Sequence, residues 1–309
     1  MEIMDGTRLA DEIKQKVLVG VRQLEQYGVE VGLAILLVGE DPASKAYFNA
    51  TVQAGRKVGI RIHEERMPPE APMNEILNKV RSLNENECIN GLLVLMPLPR
   101  RINTRRVVNA IAPEKDIDGL GSISVGRFAA DESMFQLFKD VRAQDLEHFL
   151  PSVAGFLPCT PFGVMRLLDY YGVPVKGKHA VIIGKSLAVG KPLALMLLAK
   201  EATVTVCHRE TQDLASFTRQ ADIICSDTGR TGLITGEMVK PGAAVVDIGI
   251  NMQKDGSIVG DVDFASVAKK ASFITPVPGG VGPVTIAMLL ENTLMSAQRN
   301  ERIKSPLMV

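Results

Sequence analysis

The stretch Gly184-Lys185-Ser186-Leu187-Ala188-Val189-Gly190-Lys191-Pro192 lies between an apolar run of strand length and an apolar helical run. Its glycines let the backbone turn tightly and approach an anion, and the helix start offers unpaired N–H groups carrying partial positive charge. That is phosphate chemistry. The spacing is not G-x-G-x-x-G, so an ordinary glycine turn stands as the alternative. After the next strand comes Cys207-His208-Arg209-Glu210-Thr211. In a doubly wound sheet this strand end holds a ribose hydroxyl through an acidic residue or a 2′-phosphate through a basic one. Arg209 there points to NADP rather than NAD, against the alternative of an Arg209–Glu210 pair on a solvated turn. Thr275-Pro276-Val277-Pro278-Gly279-Gly280-Val281-Gly282-Pro283-Val284-Thr285 concentrates special backbone residues just before a helix, which suits close approach of a ligand or a structural hairpin. In Lys115-Asp116-Ile117-Asp118-Gly119 two carboxylates flank an apolar residue. Asp118 could accept hydrogen bonds from a heterocycle, or simply cap a turn or helix.

These residues need elements to hold them. Leu9 to Tyr27 has helical apolar spacing, and Val31 to Val38 is a buried strand. Asp41-Pro42 opens a helix running to about Val58, followed by a strand over Ile60 to Glu65, a helix over Met73 to Asn84 and a strand over Gly91 to Met96. The second half repeats the alternation: strand His179 to Gly184, helix Val189 to Lys200, then strands Thr203 to Cys207, Ala221 to Cys225 and Ala243 to Ile248. Alternating strands and helices predict an α/β protein with parallel sheets. The length of 309 residues suggests two lobes around a cleft. The boundary is placed near residue 151: residues 1–150 plus 283–309 form the first lobe, and 151–282 form a Rossmann-like C-terminal lobe. Ala129 to Leu150 has the spacing of an inserted amphipathic helix.

Lys plus Arg and Asp plus Glu each total 35, so no net charge draws a nucleic acid. The start lacks a signal-peptide pattern and the apolar runs are too short to span a bilayer, so a soluble cytoplasmic protein without a membrane partner is expected. The four cysteines, Cys88, Cys159, Cys207 and Cys225, include no C-x-x-C pair. Reduced thiols are expected, with no metal site.

Ser44-Lys45-Ala46-Tyr47, Pro113-Glu114-Lys115-Asp116-Ile117-Asp118-Gly119-Leu120, Pro158-Cys159-Thr160-Pro161, Gly184 to Pro192, Asp247-Ile248-Gly249-Ile250-Asn251, Gly260-Asp261-Val262 and Thr275 to Thr285 follow one another along the chain. In that order they closely resemble the methylenetetrahydrofolate dehydrogenase/cyclohydrolase family, over nearly the whole chain except Ala129 to Leu150. The resemblance implies a homodimer, folate in the cleft, and NADP, or NAD, as cofactor. It makes Tyr47 and Asp118 the pterin-orienting residues of the catalytic site, with Ser44, Leu95, Pro278, Gly279 and Gly282 lining the substrate. Gly184, Lys185, Ser186, Val189 and Arg209 would meet the cofactor's phosphate side, and Thr228, Gly229, Ile250 and Thr285 its ribose or nicotinamide. Hydride passes from methylene-tetrahydrofolate to the nicotinamide; alignment and exclusion of water suffice, with no obligatory side-chain base.

The family's hydrolytic step uses a lysine four residues after the tyrosine and a glutamine on a nearby strand end. Here those positions are Thr51 and Leu95. Lys45 lies two residues before Tyr47, about 200° around the helix, and is no simple substitute. A threonine hydroxyl is neither acid nor base near neutral pH. Loss or weakening of the cyclohydrolase is expected, with a different proton relay or a non-catalytic folate-binding paralogue as alternatives. Asp227 stands where the family has a small apolar residue near the cofactor, with an effect of undetermined sign. Arg100, Arg101, Arg105 and Arg106 either attract a polyglutamate tail or form a solvated charge run.

Overall fold

The computed structural model describes residues 1–130 and 155–304. Residues 131–150 of the expected inserted helix lie outside the described residues.

The chain divides into two compact units. The first comprises Asp11–Phe128, residues 155–159 and residues 286–304. Its centre is β2 (Gly32–Val38), all seven residues buried, between β3 (Arg61–Met67) and β4 (Gly91–Val94) in a parallel sheet ordered β3-β2-β4. A strand enclosed on both faces needs an uninterrupted apolar sequence, and Gly-Leu-Ala-Ile-Leu-Leu-Val supplies it. Helix α1 (Gly6–Gln26) precedes this strand, and α2 (Pro42–Lys57) follows it. At α2 the Asp41 carboxylate accepts the Ser44 N–H at 2.8 Å, while Pro42 occupies a position whose N–H the helix does not need. Ile76, Val80 and Leu83 of α3 (Met73–Glu85) bury one stripe against Ala34, Leu36, Leu92 and Val94. Each such side chain contributes on the order of 2 kcal/mol. Two short helices, α4 (Thr104–Val108) and α5 (Ser122–Ala130), complete the run before the undescribed segment.

The second unit comprises Met1–Ala10 and Thr160–Thr285. Most of α6 (Cys159–Tyr170) leads into β5 (His179–Ile183), α7 (Gly190–Ala199), β6 (Thr203–Cys207), α8 (Leu214–Thr218), β7 (Ile223–Ser226) and β8 (Ala244–Asp247). A hairpin of β9 (Asn251–Met252) and β10 (Ile258–Val259) precedes α9 (Phe264–Val267) and β11 (Phe273–Ile274). Among the described residues the large sheet is parallel, with the order β1-β11-β8-β7-β5-β6, where β1 is Glu2–Ile3. This is the expected Rossmann-like arrangement.

The first residues depart from the expected division. Instead of starting the first lobe, β1 pairs with β11 at the edge of the large sheet. Two residues carry no readable periodicity, and their partners lie some 270 positions along the chain. β4 ends at Val94, short of Met96, although the Leu95 N–H still donates to Leu36 O at 2.9 Å. The final helix, α10 (Val281–Lys304), starts two residues before Pro283, since a first-turn proline lacks only an N–H that has no helical partner. Cys159, Cys207 and Cys225 are buried free thiols and Cys88 is an exposed one. No described helix is long and apolar enough to cross a membrane.

Candidate active site

One group of candidate residues collects in the first unit. Ser44 ties the start of α2 to the end of β4: its hydroxyl is shared between Asp41 Oδ2 at 2.9 Å and Met96 O at 3.1 Å. One turn on stands Tyr47, partly buried. Burial pushes its phenol well above the ordinary tyrosine value, and the neighbouring Asp118 and Cys159 add to the shift. A further turn on, Thr51 is fully buried and its Oγ1 donates to Tyr47 O at 2.8 Å. That hydroxyl is committed to the helix backbone. Leu95 is buried at the strand end, and Lys45 pairs with Glu40. The Thr51 hydroxyl is neither acid nor base near neutral pH, and Leu95 has no exchangeable side-chain proton.

The loop 115–121 separates three roles that spacing left open. Lys115 Nζ donates to Asn84 O at 2.5 Å and Asn86 O at 2.8 Å, satisfying carbonyls at the end of α3. Asp116 accepts from Gly121 N at 2.8 Å, Leu120 N at 3.3 Å and Ser124 Oγ at 2.7 Å, so it is the structural carboxylate. Burial nevertheless pushes Asp116 up to about 6. Asp118 is the candidate for chemistry. Burial, with the Asp116 charge added, pushes it up to about 8, and a hydrogen bond from the Cys159 thiol opposes the rise. Near neutral pH Asp118 is therefore mostly a neutral acid with one donor and an acceptor.

Sequence reading missed the support beneath this carboxyl. Asn292 of α10 donates from Nδ2 to Ile117 O at 2.8 Å and to Cys159 Sγ at 3.3 Å, and the Cys159 thiol lies 3.1 Å from Ile117 O. The available signal was the polar group Glu291-Asn292-Thr293 between the apolar stretches Ile286 to Leu290 and Leu294-Met295.

The other candidates belong to the second unit. Gly184 has φ +126°, and a Cβ there would lie 2.3 Å from Asp227 O. A Cβ on Gly190 would lie 2.1 Å from Gly184 O. Both positions therefore exclude larger residues. Ser186 Oγ accepts Val189 N at 3.0 Å and Gly190 N at 3.2 Å, and donates to Asp227 Oδ2 at 2.9 Å. Lys185 is exposed beside it. A glycine turn, a hydroxyl, a lysine and the start of α7 fit a dinucleotide's phosphates.

Arg209 Nε pairs with Glu210 at 2.9 Å on the exposed surface. Gly229 and Ile250 are exposed, whereas Thr285 Oγ1 lies 3.3 Å from both Thr160 Oγ1 and Val281 O. In the loop of Pro278, Gly279 and Gly282, the Gly279 carbonyl accepts Gly6 N at 2.9 Å.

Two buried carboxylates, given no role by spacing, organise the strand ends. Asp261 accepts from Thr228 N at 2.6 Å, Thr228 Oγ1 at 2.8 Å, Ser226 Oγ, Arg230 N and Asn251 Nδ2, the last three at 3.0 Å. Asp247 accepts Gly249 N at 3.1 Å and the N–H groups of Asp261 and Val262 at 2.9 Å. Burial still pushes Asp247 up to about 6. Thr228 thus holds its loop in place through Asp261.

Residues 4–118 match the tetrahydrofolate dehydrogenase/cyclohydrolase catalytic domain family, and residues 158–301 match the NAD(P)-binding domain of the same family. The bifunctional protein FolD of Wolinella succinogenes is 49% identical over 302 residues, covering 97% of this chain and 98% of that protein. The bifunctional FolD methylenetetrahydrofolate dehydrogenase/cyclohydrolase of Campylobacter jejuni is similar in structure, with a TM-score of 0.86, 43% identity, and coverage of 97% of this chain and 99% of that one. The Trypanosoma brucei methylenetetrahydrofolate dehydrogenase-cyclohydrolase, solved with NADP and an inhibitor, also gives a TM-score of 0.86, at 34% identity over 97% of this chain and 98% of that one.

Proposed function

Because the chain belongs to the tetrahydrofolate dehydrogenase/cyclohydrolase family, we propose that it oxidises methylene-tetrahydrofolate to methenyl-tetrahydrofolate with NADP and hydrolyses that product weakly or not at all. NADP, when bound, supplies the hydride acceptor. Tyr47 orients the pterin and neutral Asp118 gives its ring one donor and one acceptor; Ser44, Leu95 and the Pro278–Gly282 backbone line the substrate and keep water from it. Lys185, Ser186 and the Gly184 turn hold phosphate, Arg209 is available to the 2′-phosphate once it leaves Glu210, and Val189, Thr228, Gly229, Ile250 and Thr285 flank the rest of the cofactor. The chain works as a cytoplasmic homodimer in which residues 151–282 carry most of the cofactor contacts and the remainder most of the folate contacts. Neither nucleic acid nor membrane takes part; zero net charge supports this reading.

One observation carries the loss of hydrolysis: Thr51, at the lysine position, is buried with its hydroxyl bound to Tyr47 O. The relatives' designation as bifunctional favours a second reading, residual hydrolysis through another relay. Nicotinamide reduction on adding methylene-tetrahydrofolate, followed separately with NADP and NAD, tests the dehydrogenase. Reduction is expected, faster with NADP; folate binding without reduction would make the protein a binder instead.

The hydrolytic half has its own test. Thr51→Lys with Leu95→Gln is expected to speed methenyl-tetrahydrofolate decay by about a hundredfold, the lower end of the usual range for one acid–base group. Thr51→Lys alone should do less, since the lysine would lack its polar partner. Melting curves for both variants separate a missing gain from misfolding.

A further inference from the structure

Ser186 has one proton to give, and the structure shows where it goes. The hydroxyl accepts two N–H groups at the start of α7, and its proton points to Asp227 Oδ2, 2.9 Å away. Asp227 is anchored at the end of β7, its own N–H donating to Ile183 O at 2.8 Å. A phosphate oxygen is only an acceptor, so it needs the same proton. We infer that the Asp227 carboxylate competes with a cofactor phosphate for Ser186 and thereby weakens dinucleotide binding. This rests on the reading of the Gly184 turn as the cofactor site.

The charges around Asp227 favour competition. Asp261, from the loop after β10, adds like charge, and burial together with Asp261 pushes the Asp227 carboxyl above its ordinary value. Lys185 beside Ser186 is exposed and free to turn to a phosphate. When a phosphate arrives, two anions share one hydroxyl within a few ångströms. At that separation, with intermediate screening, like charges cost enough to change affinity by about tenfold. The two N–H bonds that shape the turn around Ser186 do not involve Asp227. Asp227 thus acts as an affinity-setting residue at the phosphate end of the cofactor, which resolves the sign that sequence left open.

Calorimetric titration of NADP and NAD into the wild-type protein, Asp227→Asn and Asp227→Ala tests this without turnover. Both variants should bind NADP about tenfold more tightly, with unchanged melting temperature. A larger gain for NADP than for NAD would locate the 2′-phosphate at Ser186, and equal gains would locate the pyrophosphate there; either supports the inference. Unchanged or weaker binding in both variants overturns it while leaving the cofactor assignment intact. If the wild-type protein and both variants bind neither dinucleotide, the cofactor reading falls, and the inference with it.

Discussion

Replacing Asp118 by alanine is expected to lower kcat/KM for methylene-tetrahydrofolate oxidation by about a hundredfold, and replacing it by asparagine by only about tenfold. Alanine removes both the donor and the acceptor offered to the heterocycle. Asparagine keeps one of each, as does the neutral acid that burial enforces by pushing Asp118 up to about 8. The wild-type rate should therefore break near pH 8, where the acid loses its donor, while the asparagine variant shows no such break.

Stability should follow the same titration with a definite sign. Between the ordinary value of 3.8 and about 8 the folded protein holds a proton that the unfolded chain has released. Stability from this group is thus fully present below about pH 4 and is lost as pH rises through about 8. Asp118→Asn escapes that loss, so its melting temperature relative to wild type should rise from pH 5 to pH 9. A difference independent of pH would mean that the carboxyl titrates normally, and the assignment of a neutral Asp118 would be wrong.

Gly260→Ala is expected to be a strongly damaging single-methyl change in the second unit. The new Cβ would fall 1.8 Å from Asp247 Oδ2, a carboxylate buried among three N–H donors with no room to withdraw. Gly249 faces the same constraint, 2.2 Å from the Asp261 carboxylate. Overpacking and a broken buried network together cost about 3 kcal/mol. The thermal transition of this unit should fall by roughly 6–12 °C, with NADP binding weakened because Asp261 holds Thr228. A melting temperature within a degree of wild type would show that these carboxylates do not organise the strand ends.

The elements were legible where chemistry is local. Asp41-Pro42 announced α2, and the alternation of Thr203 to Cys207 with its neighbours gave β6 its observed bounds. β1 and β11 were not legible, because pairing between two-residue strands is decided by the sheet they complete. At the site, the types and spacing at Gly184 to Gly190 matched a turn whose backbone requires both glycines. The acidic loop was harder. Lys115-Asp116-Ile117-Asp118 contains a helix-end lysine, a loop-fixing carboxylate and a perturbed acid, and only their partners distinguish them. Asp247 and Asp261 had no readable role, since each depends on backbone N–H groups that tertiary folding brings together. Thr51, at the position where the resemblance puts a lysine, was visible in sequence; the bond that commits its hydroxyl to Tyr47 O was not.

Separation of the dehydrogenase from its hydrolase can be tested in one reaction vessel. Methylene-tetrahydrofolate and NADP are mixed with the enzyme, and NADPH and methenyl-tetrahydrofolate are followed together by their absorbance. The two are expected to accumulate nearly one for one, after which the methenyl compound decays at, or only slightly above, the rate seen without enzyme. Hydrolysis that scales with enzyme concentration and keeps pace with oxidation, leaving NADPH in growing excess over methenyl-tetrahydrofolate, would show that the hydrolase is intact.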